Sequence, residues 1–180
     1  VVKFSPDGKV LMTLGKSGMP GNAEGFFNGA SSVVVGPNGD IFVGDGHGGN
    51  TNDRVVKFDK TGKQLLTFGK HGKGQGEFDA LHGIAMDSQG RIFVADRSNS
   101  RIQVFDSNGK FVAEWKQFGR PSDVSIDKND TIYVTDDQSN PMNNPGFKTG
   151  IRIGSAKDGK VTAFIPTPSA EIATPEGVGF

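Results

Sequence analysis

The sequence predicts an all-β propeller built from radially arranged four-stranded blades, and three observations carry that prediction. A strand–turn–strand module closing on Asp occurs three times, a second hairpin module also occurs three times, and no capped helix of the usual length is visible anywhere. The first module reads Val33-Val34-Val35-Gly36-Pro37-Asn38-Gly39-Asp40-Ile41-Phe42-Val43-Gly44-Asp45 and recurs over residues 84–96 and 124–136. Its closing residue is Asp45, then Asp96 and then Asp136, intervals that fit one blade of about 40–50 residues.

The second module supplies the outer half of each blade. Val55-Val56-Lys57-Phe58 leads into a turn ending Gly62-Lys63, and Val1-Val2-Lys3-Phe4 and Ile102-Gln103-Val104-Phe105 lead into the same turn ending Gly8-Lys9 and Gly109-Lys110. Alternating apolar residues around a short Gly-containing turn read as a hairpin, with return strands at 10–14, 65–68 and 111–115. In chain order the expected units are a partial blade over 1–30, blades over 31–80, 81–120 and 121–174, and the first strand of a further blade over 175–180. About four blades are thus visible, read as part of a six-bladed ring that closes by joining terminal strands. The loops that stand out by length are 15–30, 69–80 and an insert at 137–150.

Composition narrows the function classes. Formal net charge is +0, with 20 basic and 20 acidic residues, which gives no electrostatic reason for a nucleic-acid or anionic-membrane partner. No window approaches the roughly 18 consecutive apolar residues of a membrane-spanning helix. The absence of Cys excludes disulfides and thiolate metal sites. Gly72-Lys73-Gly74-Gln75-Gly76 lacks both the following helix and the Lys-Ser/Thr ending of a phosphate-binding loop.

Four positions stand out chemically. His82 stands at the start of an innermost strand, where a neutral imidazole faces the axis as a metal ligand or base, or simply as a hydrogen-bonded histidine. Arg97 follows Asp96 where the other blades carry Gly46 and Asp137, so the repeat does not require it, and its guanidinium suits a carboxylate or an oxyanion. His47 occupies the same corner one blade earlier and reads either as a reactive group or as an exposed corner residue. Arg54 and Arg101 precede third strands and read as structural partners of the repeated Asp, while His71 reads as solvated.

These residues resemble the NHL type of repeat, and more specifically the peptidyl-α-hydroxyglycine α-amidating lyases and their bacterial relatives. The likeness rests on Leu14-Gly15-Lys16-Ser17, Phe42-Val43-Gly44-Asp45-Gly46-His47, Gly76-Glu77-Phe78 leading to His82, and Val94-Ala95-Asp96-Arg97-Ser98-Asn99-Ser100-Arg101-Ile102-Gln103. The resemblance implies a six-bladed propeller with an axial zinc held by three His, releasing an amidated peptide and glyoxylate. It makes His82 one zinc ligand and Arg97 the arginine that engages substrate, and it puts His47 where the family has a Tyr proposed as base. The family's Pro-His-Asp appears here as Pro175-Glu176-Gly177, so Glu176 takes the place of a zinc-binding His, and the structural calcium of the family is not carried over.

The resulting expectation is zinc-assisted C–N cleavage of a peptide or small-molecule substrate by a periplasmic or secreted bacterial protein. Arg97 and His47 are its catalytic residues, His82 and Glu176 its metal ligands. The rival expectation is a non-catalytic NHL scaffold that binds peptide or protein through axis-facing loops, with self-association through incomplete blades. A calcium-dependent lactonase-type propeller is a third reading, resting only on Asn99 and Glu176.

Overall fold

The computed structural model describes residues 1–168 and 174–179; the stretch 169–173 of the expected unit 121–174, and Phe180, lie outside the described residues. Fourteen strands form three four-stranded antiparallel sheets and one two-stranded sheet, without a helix among the described residues. The two-stranded sheet pairs β1 (Val2–Phe4) with β2 (Val10–Thr13). The next sheet runs β3 (Ala30–Val35), β4 (Ile41–Asp45), β5 (Arg54–Phe58) and β6 (Gln64–Phe68). It is followed by β7 (Leu81–Met86), β8 (Ile92–Asp96), β9 (Arg101–Phe105) and β10 (Phe111–Trp115), and then by β11 (Asp123–Ile126), β12 (Thr131–Asp136), β13 (Gly150–Ser155) and β14 (Val161–Pro166). The first strand β7 packs against both β3 and β11, so the sheets radiate from these innermost strands.

Turn chemistry sets these hairpins. Asp59 Oδ1 accepts the backbone N–H groups of Thr61 and Lys63, and Asp106 Oδ1 does the same for Asn108 and Lys110. The hydrophobic core lies between blades rather than within one. Phe42, Phe78, Leu81, Ile84 and Phe105 fill the seam between the second and third sheets, while Phe93, Ile102, Trp115, Phe118, Ile132 and Val134 fill the next. Both faces of the middle strands are therefore covered, which is why β4, β8 and β9 are buried along their whole length.

Each closing Asp fastens the top of its blade. Asp45 pairs with Arg54 at 3.0 Å, Asp96 with Arg101 at 2.6 Å and Asp136 with Arg152 at 3.0 Å, all with the carboxylate fully buried. The same carboxylates accept the backbone N–H of Asn28, Asp79 and Arg120, which ties each incoming loop to the corner after the second strand. The pairing of Arg54 and Arg101 is the one expected from the repeat; Arg152 is the third member, displaced along the chain by the 137–150 insert.

The strand expected to begin near Glu176 is not formed among the described residues. Backbone groups there bond to side chains of the neighbouring blade instead: Thr135 Oγ1 donates to Glu176 O at 3.1 Å, and Val178 N donates to Asp123 Oδ2 at 3.1 Å.

Candidate functional site

His82 lies inside β7, and its direction is set by an irregularity in the ladder. Leu81 pairs with Asp96 and Ile84 with Val94, so three steps on β7 face two on β8, and the extra residue re-aims the His82 side chain. Gly83 makes the close approach of β7 and β11 possible. A Cβ there would stand 2.5 Å from Asp123 Oδ1 and 3.1 Å from its Cα. Corresponding positions in successive blades are Ser31, His82, Ser122 and Glu176, each two residues before an apolar residue of the inner strand or its continuation.

This geometry brings the sequence-nominated residues to one place. His82 Nε2 lies 3.8 Å from Glu176 Oε1, and the rings of His47 and His82 meet nearly edge-on with centroids 4.6 Å apart and an interplanar angle of 70°. A cavity of about 280 Å³ opens here, lined by Gly29, Ala30, Ser31, His47 and His82. The His82 side chain is 13% exposed and that of Glu176 69%. Burial, reinforced by the charge of Arg97 and by His47, pushes the imidazole of His82 below its ordinary pKa and favours the neutral ring. Its Nε2 is buried without a hydrogen-bond partner, and so is Nε of Arg97. An unpartnered lone pair next to a carboxylate fits a divalent metal ligand set, and His82 and Glu176 supply two donors. Among the described residues no group of three or more His, Cys, Asp or Glu gathers around one point.

Two sequence readings change. His71, read as solvated, is indeed 69% exposed on its side chain, but its Nδ1 sits 2.7 Å from the buried Asp53 Oδ2 and so latches the 69–80 loop to the preceding blade. Asn99, considered for calcium, donates through its Nδ2 to Asp96 and to the carbonyl of Gly72, which fixes its side chain at the Asp96 corner. Arg120 was missed: its guanidinium reaches the backbone oxygens of Arg97 and Ser98 and the side chain of Gln138. Nothing in the repeat signals it, because the equivalent positions hold Asn28 and Asp79 and only the backbone N–H is shared.

Radial sheets around packed inner strands define a β-propeller, and residues 78–105 match the NHL repeat model. The chain is 36% identical over 118 residues to "NHL repeat-containing protein 3" of Homo sapiens, covering 64% of this chain and 34% of that protein. It is 33% identical over 128 residues to "Peptidyl-alpha-hydroxyglycine alpha-amidating lyase 1" of Drosophila melanogaster, covering 64% of this chain and 23% of that protein. Among solved structures, a gluconolactonase from Xanthomonas campestris superposes with a TM-score of 0.61 at 16% identity over 93% of this chain and 55% of that one, a likeness of fold. The chain thus spans about a third or less of the length of these curated relatives. It carries NHL repeats in a β-propeller and resembles the peptidyl-α-hydroxyglycine amidating lyases.

Proposed function

We propose that this chain contributes an amidating-lyase-like site that cleaves the C–N bond of a peptidyl-α-hydroxyglycine and releases glyoxylate. The observation that carries the reading is the meeting of His82, Glu176 and His47 from different blades beside Arg97, whose guanidinium makes no ion pair with any described residue. Similarity to the Drosophila lyase supports it independently of the geometry.

His82 and Glu176 would hold zinc, with further donors from outside the described residues. Zinc in such a site acts as a Lewis acid toward a substrate oxygen. Arg97 binds the substrate carboxylate through its planar pair of N–H groups and orients the hydroxyl toward His47. His47 takes the hydroxyl proton as the carbonyl of glyoxylate forms. The C–N bond breaks, the departing nitrogen takes back a proton, and the products are a peptide amide and glyoxylate. The low-pKa His82 stays neutral throughout this exchange and available as a ligand.

The scaffold reading keeps one observation in its favour, the match of residues 78–105 to the NHL repeat model. NHL propellers commonly bind peptides or proteins, and the same face would serve that role. Incubating the full-length protein with a peptidyl-α-hydroxyglycine and assaying glyoxylate separates the two. Release that a chelator abolishes and zinc restores supports the lyase, and a folded protein that binds the peptide without releasing glyoxylate supports the scaffold.

A further inference from the structure

Arg54, Arg91, Arg101 and Arg152 each pair with an aspartate. Arg97 and Arg120 pair with no described carboxylate, and the fold sets them side by side on the face that bears His47 and His82. Arg97 is the first residue after β8, and Arg120 lies in the short loop between β10 and β11. Arg120 Nη1 donates to the carbonyl oxygens of Arg97 at 3.1 Å and Ser98 at 3.4 Å, and its Nε donates to Gln138 Oε1 at 3.2 Å. These bonds hold one guanidinium against the corner that carries the other.

The acids nearby are otherwise engaged. Asp136 is bonded to Arg152, Ser139 and the Arg120 backbone N–H, and Asp137 accepts the Ser122 hydroxyl. Asp137, Asp136 and Asp79 all lie within the electrostatic reach of Arg120, and none forms an ion pair with it. Partial burial, and then the charge of Arg97, lowers the pKa of Arg120, as expected of two cations held together in a partly dehydrated setting. Nε of Arg97 is buried and unpartnered, and Nη2 of Arg120 makes no hydrogen bond to a described residue. Two cations that act on each other electrostatically are relieved by an anion that both can reach, and a planar guanidinium pair matches a carboxylate best.

We propose that Arg97 and Arg120 form a two-guanidinium clamp for a small carboxylate, in which Arg120 touches the anion and also steadies the Arg97 corner. The clamp deepens the lyase reading, on which it rests for the identity of that carboxylate, by adding a second residue for the glycine-derived end of the substrate.

The test is calorimetric titration of the full-length protein with glyoxylate and with its uncharged amide. Glyoxylate should bind the wild type and should bind Arg97→Gln and Arg120→Gln each roughly tenfold more weakly, with the amide insensitive to both changes. In the Arg97→Gln background, Arg120→Gln should weaken glyoxylate further. Wild-type affinity in Arg120→Gln, no added loss in the double variant, or equal binding of the amide would each overturn the clamp. Where Arg120→Gln does not fold, Arg120→Lys keeps the charge without the planar pair and should still weaken glyoxylate several-fold; an unchanged affinity there counts against the clamp. Glyoxylate bound as stated with no release from the hydroxyglycine peptide sinks the lyase and leaves the clamp. Release that Arg120→Gln leaves unaltered in both kcat and KM does the reverse.

Discussion

Nε2 of His82 stands 3.8 Å from Oε1 of Glu176, although a whole blade unit separates theirs along the chain. They meet because they hold the same position in the repeat, at the head of the innermost segment of alternate units, with Ser122 of the intervening blade between them. A propeller converts a periodic position in sequence into a ring of side chains about one axis. Any chemistry at that ring is therefore sensitive to how closely the inner strands approach.

Gly83 sets that approach. Gly83→Ala puts a methyl group 2.5 Å from Asp123 Oδ1 and 3.1 Å from its Cα, so the carboxylate must turn aside and the β11 backbone must give way slightly. The expected cost is about 1–3 kcal/mol in denaturant unfolding, with a larger fractional loss of peptide turnover because His82 moves with the bulge.

Arg97 and Arg101, four residues apart, should behave oppositely. Arg101 is 5% exposed and bridges the buried Asp96 at 2.6 Å, so Arg101→Ala leaves an uncompensated buried carboxylate and should cost about 3–5 kcal/mol of stability. Arg97→Lys should lower kcat/KM by about a hundredfold while leaving the melting temperature near wild type, since no described residue pairs with it. Urea titration and steady-state kinetics on the two variants check the contrast.

The His71–Asp53 latch should make stability depend on pH. Its bond to Asp53, and then the charge of that carboxylate, raises the pKa of His71, while burial, opposed by His71, raises that of Asp53. A histidine whose folded pKa lies above its unfolded value contributes stability that is complete below the unfolded value of about 6.5 and is lost as pH rises through the folded one. Asp53 has the same sign, since its raised folded pKa also makes stability fall with rising pH, in its own more acidic range. The melting temperature should therefore decline from about pH 6.5 upward, and His71→Gln should flatten that decline. An identical pH profile in the variant would show that the latch carries no such linkage.

The fold was legible because the sequence repeats. Two β-modules copied three times give strand order and hairpin turns without any long-range information, and the buried Asp–Arg pairs of the second and third sheets follow from the same copies. Arg152 escaped because the 137–150 insert moves it away from the interval set by Arg54 and Arg101. Register could not be read either, so the bulge that aims His82 emerges only from the pairing of β7 with β8. The strand expected near Glu176 gave way to side-chain bonds with Asp123 and Thr135. Asp53 with His71, and Arg120 with the Arg97 corner, join loops of different units, and periodicity carries no signal for contacts of that kind.

The most direct test of the account is the zinc content of the intact purified protein, measured alongside His82→Ala and Glu176→Ala. About one zinc per complete ring in the wild type, falling in both variants while their melting curves stay cooperative, is the predicted result. A folded wild type that takes up no zinc, or one whose zinc survives both substitutions, would contradict it.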